Sequence, residues 1–349
     1  MTADPRFPTD GTEVESDGAE EDVLEGTAAS WAAAEGSAPA DVISLRIPVP
    51  PMCDGWRLDH FLKWRIDRLS RTKVQAIIDT QIRFADGRKA RPSARVRSGE
   101  LVHLERPAPI EPEVPRYFDV LAEDEHFIAI DKPAGLPMHT TAKFWRNTLT
   151  ALLRERYPDE PIQLCHRIDR ETSGVLLLAR HARAASSLKK AFANRRVKKS
   201  YLALVHGRVE ADLGLIDAPL GLLDTPTHLM MGVVNEGLEA RTRFHVRERF
   251  RHHTFVGAEP ETGRQHQIRV HFAHLGHPLV GDKLYRAGEK AFMAYCDGGM
   301  TDELLALFDG LPRQALHAHR LSFPHPAAGE LVTVESPIPA DLTAYMQTL

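Results

Sequence analysis

The sequence predicts an α+β fold with a mixed, largely antiparallel sheet flanked by helices, preceded by a small α/β domain. Beyond Tyr117, short apolar runs typical of strands outnumber runs with helical spacing, and several follow one another directly. A doubly wound fold would instead alternate strands and helices. The proline-rich residues 108–116 separate this part from a shorter, basic one and are typical of a linker.

The 349 residues are enough for two domains. Residues 1–41 contain almost no aliphatic side chains, so we expect a disordered acidic tail. The predicted organisation is this tail, a small domain over 42–107, a linker over 108–116 and a larger domain over 117–349.

The small domain is predicted to begin with a strand over Val42–Val49. Apolar residues at helical spacing then predict a helix over 57–69, and Ser70 is the expected N-cap of a second helix. Asp86-Gly87 predicts a hairpin turn between short strands, and residues 99–107 supply a last strand.

Charge is distributed unevenly along the chain. The net charge is −4, but residues 1–40 hold ten acidic residues and one Arg, and residues 57–107 hold thirteen basic residues against six acidic ones. Such a basic region favours a phosphate-bearing partner, although it is also compatible with an ordinary solvated surface or a basic regulatory domain.

Other features bear on the compartment. The N-terminus is acidic, which argues against a signal or transit peptide, and no apolar run approaches the length of a membrane span. Three scattered cysteines argue against disulfides and structural zinc. We therefore expect a cytoplasmic protein without membrane contact.

The absence of several known cofactor-binding and catalytic motifs excludes further classes of enzyme. The sequence lacks a phosphate-binding P-loop, a dinucleotide-binding glycine motif, a hydrolase nucleophile elbow and the zinc-deaminase signature. His266, His271, His274 and His277 lie close together, but no carboxylate or Cys completes a metal shell there. We expect these histidines to pack and form hydrogen bonds, and we expect neither metal nor cofactor.

Three polar segments interrupt the apolar runs of the larger domain, at residues 165–174, 197–207 and 261–285. In the first, Asp169 precedes the aliphatic run Val175–Ala179. Burial alone would raise its pKa, whereas a nearby guanidinium, which Arg264 or Arg269 offers, would keep it ionised. Such an anion suits nucleophilic attack or charge stabilisation. Equally, Asp169 would fit a turn cap or a buried ion pair.

These segments resemble the motifs of the RluA-type pseudouridine synthase family. HRIDRETSG resembles H-R-L-D-x-x-T-S-G, KKSYLALVHG is similar to K-x-Y-x-A-x-V-x-G, and TGRQHQIRVH matches T-G-R-x-H-Q-I-R-x-H. DKPAGLPMH is similar to the opening of the same catalytic domain. The small domain resembles an S-four-type RNA-binding domain through RLDHFL and LSRTKVQAIID.

The resemblance implies an isomerase that converts uridine in RNA to pseudouridine without a cofactor. Asp169 would be the catalytic carboxylate, acting on sugar carbon 1′ or on the 2′ proton. Arg269 would pair with it, and Tyr201 would stack on the uracil. The target base must leave its helix, which an aromatic platform partly offsets. The residues implied in RNA binding are Arg167, Lys199, Arg264 and His266, with Arg68, Arg71 and Lys73 in the small domain.

The family favours large-subunit ribosomal RNA as substrate, with transfer RNA as the alternative, and a monomeric enzyme. Two other functions stay open from the residues. One is a non-catalytic RNA-binding protein on the same fold. The other is a hydrolytic glycosidase that uses Asp169 and Glu171 as a pair of carboxylates.

Overall fold

The computed structural model describes residues 42–66, 70–108, 110–141, 143–225 and 229–349. The predicted acidic tail and Arg68 lie outside these residues. The chain divides into two compact units. The first contains the described residues up to Glu171 together with Leu176–Ala185, and the second contains Thr172–Val175 and Ser186–Leu349.

The beginning of the first unit is a three-stranded sheet with two helices. Its elements are β1 (Val42–Pro48), α1 (Leu58–Arg65), α2 (Arg71–Gln81), β2 (Ile82–Phe84) and β3 (Leu101–Pro107). The sheet order is β1-β3-β2, and both pairings are antiparallel. Phe61, Leu62, Val74 and Ile78 pack against the inner face of this sheet, so these residues have a hydrophobic core of their own.

The start of α2 confirms one sequence expectation. Ser70 has an extended backbone, and its hydroxyl accepts a hydrogen bond from the backbone N–H of Lys73 over 3.3 Å. The side chain thereby satisfies an N–H group that has no partner inside the helix. The first helix is shorter than expected, since it ends at Arg65.

The predicted hairpin at Asp86-Gly87 is wrong in its second strand. The turn exists, with Gly87 at a φ of +74° and its N–H bonded to the Phe84 carbonyl oxygen. However, β2 pairs with β3, which begins at Leu101. The local turn signal is genuine, but the partner strand is chosen by the hydrophobic face that it buries and not by proximity in the chain.

The rest of the first unit supplies short strands and one helix. These elements are β4 (Asp119–Glu123), β5 (Phe127–Lys132), α3 (Leu149–Arg156), β6 (Gln163–Leu164) and the end of β7 (Ser173–Ala179). β4 pairs antiparallel with β5, and β6 pairs antiparallel with β7. Every residue of β7 is buried, as its continuous apolar sequence predicts.

The second unit is organised around a sheet of order β7-β14-β8-β13-β12-β9. Helix α4 (Ala182–Ala193) enters this unit at Ser186. The strands are β8 (Lys198–His206), β9 (Leu213–Asp217), β10 (Leu220–Leu222), β11 (Met231–Val233), β12 (Arg241–Arg249), β13 (His253–Pro260), β14 (Leu316–Pro324) and β15 (Leu331–Glu335). The helices that follow β13 are α5 (Gln267–His274), α6 (Glu289–Gly298), α7 (Asp302–Leu307) and α8 (Ala340–Met346).

Within this sheet β7 and β14 are parallel, and the other pairings are antiparallel. The mixed α+β class with a largely antiparallel sheet is therefore confirmed. Among the described residues, no helix is long and apolar enough to cross a bilayer.

Candidate active site

Asp169 lies half-buried in the loop between β6 and β7, four residues before the buried strand begins. The loop is attached on both sides of this residue. Upstream, the His166 imidazole Nε2 accepts a hydrogen bond of 2.9 Å from the backbone N–H of Leu177. Downstream, the carbonyl oxygen of Arg170 accepts hydrogen bonds from the Lys132 ammonium (2.9 Å) and the Gly135 N–H (2.8 Å). The backbone that carries Asp169 is thus fixed before any substrate arrives.

Lys132 is a fully buried cation at the end of β5. Its ammonium group donates to the carbonyl oxygens of Pro133, Leu136 and Arg170, each over 2.9 Å. Three carbonyl acceptors match the three donors of an ammonium group, which is how a buried charge is tolerated. The sequence resemblance includes this segment but does not predict the structural role of Lys132. The available signal was a charged pair, Asp131-Lys132, directly after the apolar run FIAI.

We expect Lys132→Met to damage both stability and catalysis. The variant removes the shared donor of three carbonyl groups, of which, among the described residues, only that of Arg170 keeps a second donor, the Gly135 N–H, and this lowers the free energy of unfolding by about 3 kcal/mol or more. It also loosens the backbone next to Asp169, so kcat should fall more than tenfold. Thermal unfolding and single-turnover pseudouridine formation measure the two effects, with the exposed Lys290→Met as the matched control. Wild-type stability in Lys132→Met would contradict the assigned role.

Tyr201 is half-buried on β8 and packs at the edge of the core beneath the sheet. The strand register places it beside Ala318 of β14, and Ala318 lies beside Gly174 of β7. Adjacent strands are about 4.8 Å apart, so the backbones of Tyr201 and Gly174 are separated by roughly 10 Å. Gly174, at the end of the first motif, and Tyr201 of the second are therefore separated by a single intervening strand.

The start of β7 is anchored by side chains from the end of the chain. Gln314 donates to the Thr172 hydroxyl over 2.9 Å, and the Ser173 hydroxyl lies 3.0 Å from His317 Nδ1. His317 Nε2 lies 3.3 Å from the Ser336 carbonyl oxygen. A neutral imidazole satisfies both contacts, donating to the carbonyl and accepting from the hydroxyl. Burial accordingly lowers the pKa of His317 to about 4.

This depressed pKa predicts acid sensitivity. An unfolded His titrates near pH 6.5, so the unfolded state gains a proton between pH 6.5 and 4 that the folded state does not. The stabilisation is complete above pH 6.5 and decreases by roughly 3 kcal/mol as the pH falls to 4. Urea unfolding of wild type and His317→Gln across this range should show a flatter pH dependence for the variant. The exposed His245→Gln should retain the wild-type slope, and an equal slope in all three proteins would contradict the prediction.

Arg269 is almost completely buried on α5, and its guanidinium forms a bidentate pair with Asp282. Its Nε and Nη2 lie 2.8 and 3.0 Å from the two carboxylate oxygens. Burial by itself would raise the pKa of Asp282, but the adjacent guanidinium outweighs it and keeps that pKa below its usual value. Asp282 also accepts from the backbone N–H groups of Leu284 and Tyr285.

The resemblance implies Asp169 as the partner of Arg269, and Asp282 was not predicted. A guanidinium has five N–H donors, and the pair with Asp282 engages two of them. Asp282 thus orients Arg269, and the Asp169–Arg269 contact stays a prediction. The only sequence signal for Asp282 was its position directly after Gly281, in the same polar segment as Arg269.

The loop between β13 and α5 contains or contacts other predicted site residues. The Lys199 ammonium donates to the Thr262 carbonyl oxygen over 2.6 Å, which ties the second motif to the third. Arg264 donates to the Glu239 carbonyl oxygen over 3.1 Å. His266 has a left-handed backbone (φ +52°), and its Nδ1 lies 2.9 Å from the Tyr285 hydroxyl.

The remaining predicted RNA-binding residues belong to the first unit. Arg167 is half-buried two residues before Asp169, whereas Arg71 and Lys73 are exposed in the first turn of α2.

Three of the four clustered histidines, His266, His271 and His277, form hydrogen bonds, as expected, and His274 is exposed. His271 Nε2 lies 3.0 Å from the Ala218 carbonyl oxygen, and His277 Nδ1 lies 2.8 Å from that of His206. In the part of the chain that the structure describes, no group of His, Cys, Asp and Glu is arranged to hold a metal ion.

Comparison with known proteins identifies the family. Residues 126–274 match the model of the RNA pseudouridylate synthase family. A protein from Xanthomonas campestris pv. campestris named ribosomal large subunit pseudouridine synthase D is 38% identical over 324 residues, covering 90% of this chain and 95% of that relative. Its namesake from Pseudomonas aeruginosa is 35% identical over 317 residues, covering 89% and 97%.

A solved structure agrees with these relatives. Human RNA pseudouridylate synthase domain containing 1 superposes with a TM-score of 0.51 at 28% identity, covering 65% of this chain and 86% of the human one. Fold and relatives together define an RNA-modifying isomerase that acts on uridine. The chain belongs to the RNA pseudouridylate synthase family, in its RluA-type branch.

Proposed function

We propose that Asp169 is the catalytic carboxylate for isomerisation of a flipped uridine. In this reaction the bond between ribose C1′ and uracil N1 breaks and C1′ bonds to C5, while N1 gains a proton and C5 loses one. Positive charge develops on the ribose as the first bond breaks, and an adjacent carboxylate stabilises it. The observation that carries the proposal is the attachment of the loop on both sides of Asp169, since a preorganised charge needs no reorganisation during the reaction.

Arg269 and Tyr201 complete the proposed catalytic group. Arg269, oriented by Asp282, would keep Asp169 ionised when the substrate excludes water. Tyr201 would stack on the uracil, and base–aromatic stacking is worth about 1–3 kcal/mol, which offsets part of the unstacking of the target base. Arg167, Arg264, His266 and Lys199 would border the bound RNA strand, and Arg167 would occupy the position that the flipped base leaves.

We infer that the substrate is large-subunit ribosomal RNA. The relatives named for that substrate align with about nine tenths of this chain and nearly all of their own length, so their similarity extends beyond the catalytic motifs. Transfer RNA is the competing substrate. The test is to map pseudouridines in both RNA classes from cells lacking this protein and from cells complemented with it. Loss and recovery of a ribosomal site would support the inference, whereas loss confined to transfer RNA would overturn it.

We further propose that residues 42–107 form an S-four-type RNA-binding domain that acts in a cytoplasmic, monomeric enzyme. The buried residues of its hydrophobic core all lie between Ile43 and Leu104, which supports a domain, and the exposed cations at the start of α2 support contact with phosphate. The basic balance of residues 57–107 points to the same kind of partner.

This proposal predicts a weaker salt dependence when two of these cations are neutralised. Each phosphate contact contributes about 0.7–0.9 to the slope of log K against log salt concentration. We expect Arg71→Gln/Lys73→Gln to reduce the slope by about 1.5, measured by fluorescence anisotropy with a ribosomal RNA fragment between 50 and 200 mM salt. Lys290→Gln, which removes an exposed cation outside residues 42–107, should leave the slope unchanged. An unaltered slope in the double variant would show that α2 does not contact phosphate.

A further inference from the structure

Two glutamines of the third motif have opposite environments. Gln267 uses its whole carboxamide: Oε1 accepts from the Thr262 hydroxyl and the Arg264 N–H, and Nε2 donates to the Arg241 carbonyl oxygen and the Thr242 hydroxyl. Gln265 lies two residues earlier, and its Nε2 is buried without a hydrogen-bond partner within the described residues. Buried amide donors are rarely left in this state, and each such case calls for an explanation.

The backbone around Gln265 is held in place. Lys199 holds the Thr262 carbonyl group, and Arg264 is attached through both its N–H and its side chain. His266 follows with its left-handed backbone, which is unfavourable for a residue with a β-carbon. An unsatisfied donor and a strained residue therefore stand next to each other, one turn before Arg269. Unfavourable features of this kind concentrate where a protein meets its ligand.

We propose that Gln265 is a specificity-determining residue that donates a hydrogen bond to the base edge of a nucleotide flanking the target uridine. The carboxamide matches a base edge because it presents two donors and an acceptor in one plane, as the pairing of glutamine with adenine illustrates. In the RNA-free protein the donor is covered and unpartnered. Its side chain turns towards the RNA strand when the substrate binds, so that binding removes an unfavourable feature of the free protein.

The proposal predicts opposite changes in stability and activity, which a purely structural role would not produce. Gln265→Met has a similar shape and removes the unsatisfied donor, so the Tm should rise by about 2 °C. The same change removes the RNA contact, so kcat/KM should fall about tenfold, which corresponds to 1.4 kcal/mol. Gln267→Met should instead lower the Tm, because it deletes four hydrogen bonds. The exposed Gln347→Met should change neither quantity.

The experiment uses total RNA from cells that lack this protein, treated with the full-length wild type and each variant. Pseudouridine is mapped at every uridine, so the comparison holds whichever RNA class is modified. This inference rests on one part of the proposed function, namely that the third motif belongs to the RNA site. Wild-type modification of transfer RNA alone would overturn the ribosomal substrate and leave the test of Gln265 intact.

We expect Gln265→Met to modify the main uridine about tenfold more slowly and to lose preference for it over minor sites. Three results would overturn the proposal: an unchanged rate and site preference, a rate loss accompanied by a lower Tm, or an equal loss at all sites. An unchanged rate and preference would mean that Gln265 does not contact the RNA. A rate loss with a lower Tm would mean that Gln265 stabilises the fold, and an equal loss at all sites would mean that it does not determine specificity.

Discussion

Asp169→Asn should lower the rate of pseudouridine formation by about a thousandfold or more while leaving the fold intact. The substitution keeps the size and shape of the side chain but removes its charge and its nucleophilicity. Loss of a single preorganised electrostatic group already costs 10²–10³ in rate, and loss of a nucleophile or base costs more. The loop should keep its conformation, because its attachments through His166 and Arg170 do not involve the Asp169 side chain.

The measurement is single-turnover conversion in a ribosomal RNA fragment, with RNA affinity and thermal unfolding measured in parallel. Glu171→Gln is the matched control, since Glu171 is the nearest other carboxylate in the loop and pairs with Arg170 over 3.2 Å. A single-carboxylate mechanism predicts a small effect for this variant. Near-wild-type turnover in Asp169→Asn would refute the assignment, and equal losses in both variants would indicate a carboxylate pair.

Gly174→Ala should destabilise the protein severely. Gly174 has a φ of +110°, a region that residues with a β-carbon rarely adopt, and an added Cβ would lie 2.2 Å from the Ala318 carbonyl oxygen. The backbone strain is worth about 1–3 kcal/mol. Forcing apart two paired strands adds about 1–3 kcal/mol more. Native proteins have only about 5–15 kcal/mol of stability in total, so much of it would be lost.

Gly276→Ala separates these two effects. Gly276 also has a positive φ, +82°, but nothing lies within 4 Å of an added Cβ. This control should lose about 1 kcal/mol and roughly 2–4 °C in Tm, whereas Gly174→Ala should lose more than 10 °C or fail to fold. Equal losses in the two variants would mean that the contact with Ala318 is not the reason for glycine in this motif.

Local chemistry could be predicted well from the sequence. The N-cap at Ser70 and the turn at Gly87 depend on neighbouring residues alone, and both are present. The pairing of β2 with the distant β3 was missed because a turn signal does not specify which strand follows. The helix before Ser70 was predicted too long, because apolar spacing continues past Arg65 although the helix does not.

In the candidate site, too, local features could be predicted and long-range contacts could not. Asp169 was predicted as a site residue because a charge before a buried strand is conspicuous, and the roles predicted for Tyr201 and Arg269 came from the resemblance. Asp282 and Lys132 were missed because nothing in the sequence says which carboxylate faces a buried guanidinium, or which carbonyl groups surround an ammonium. Gln265 and Gln267 are indistinguishable as letters, and only their hydrogen bonds separate them.

The placement of β14 has a consequence for biosynthesis. This strand, from near the end of the chain, lies between β7 and β8 and so separates Gly174 from Tyr201. More than a hundred residues must be translated after Tyr201 before Ala318 exists, which takes roughly 6–23 s at about 5–20 residues per second. A nascent chain therefore carries Gly174 and Tyr201 without the strand that lies between them, and we expect it to become competent to modify RNA only after β14 has been translated.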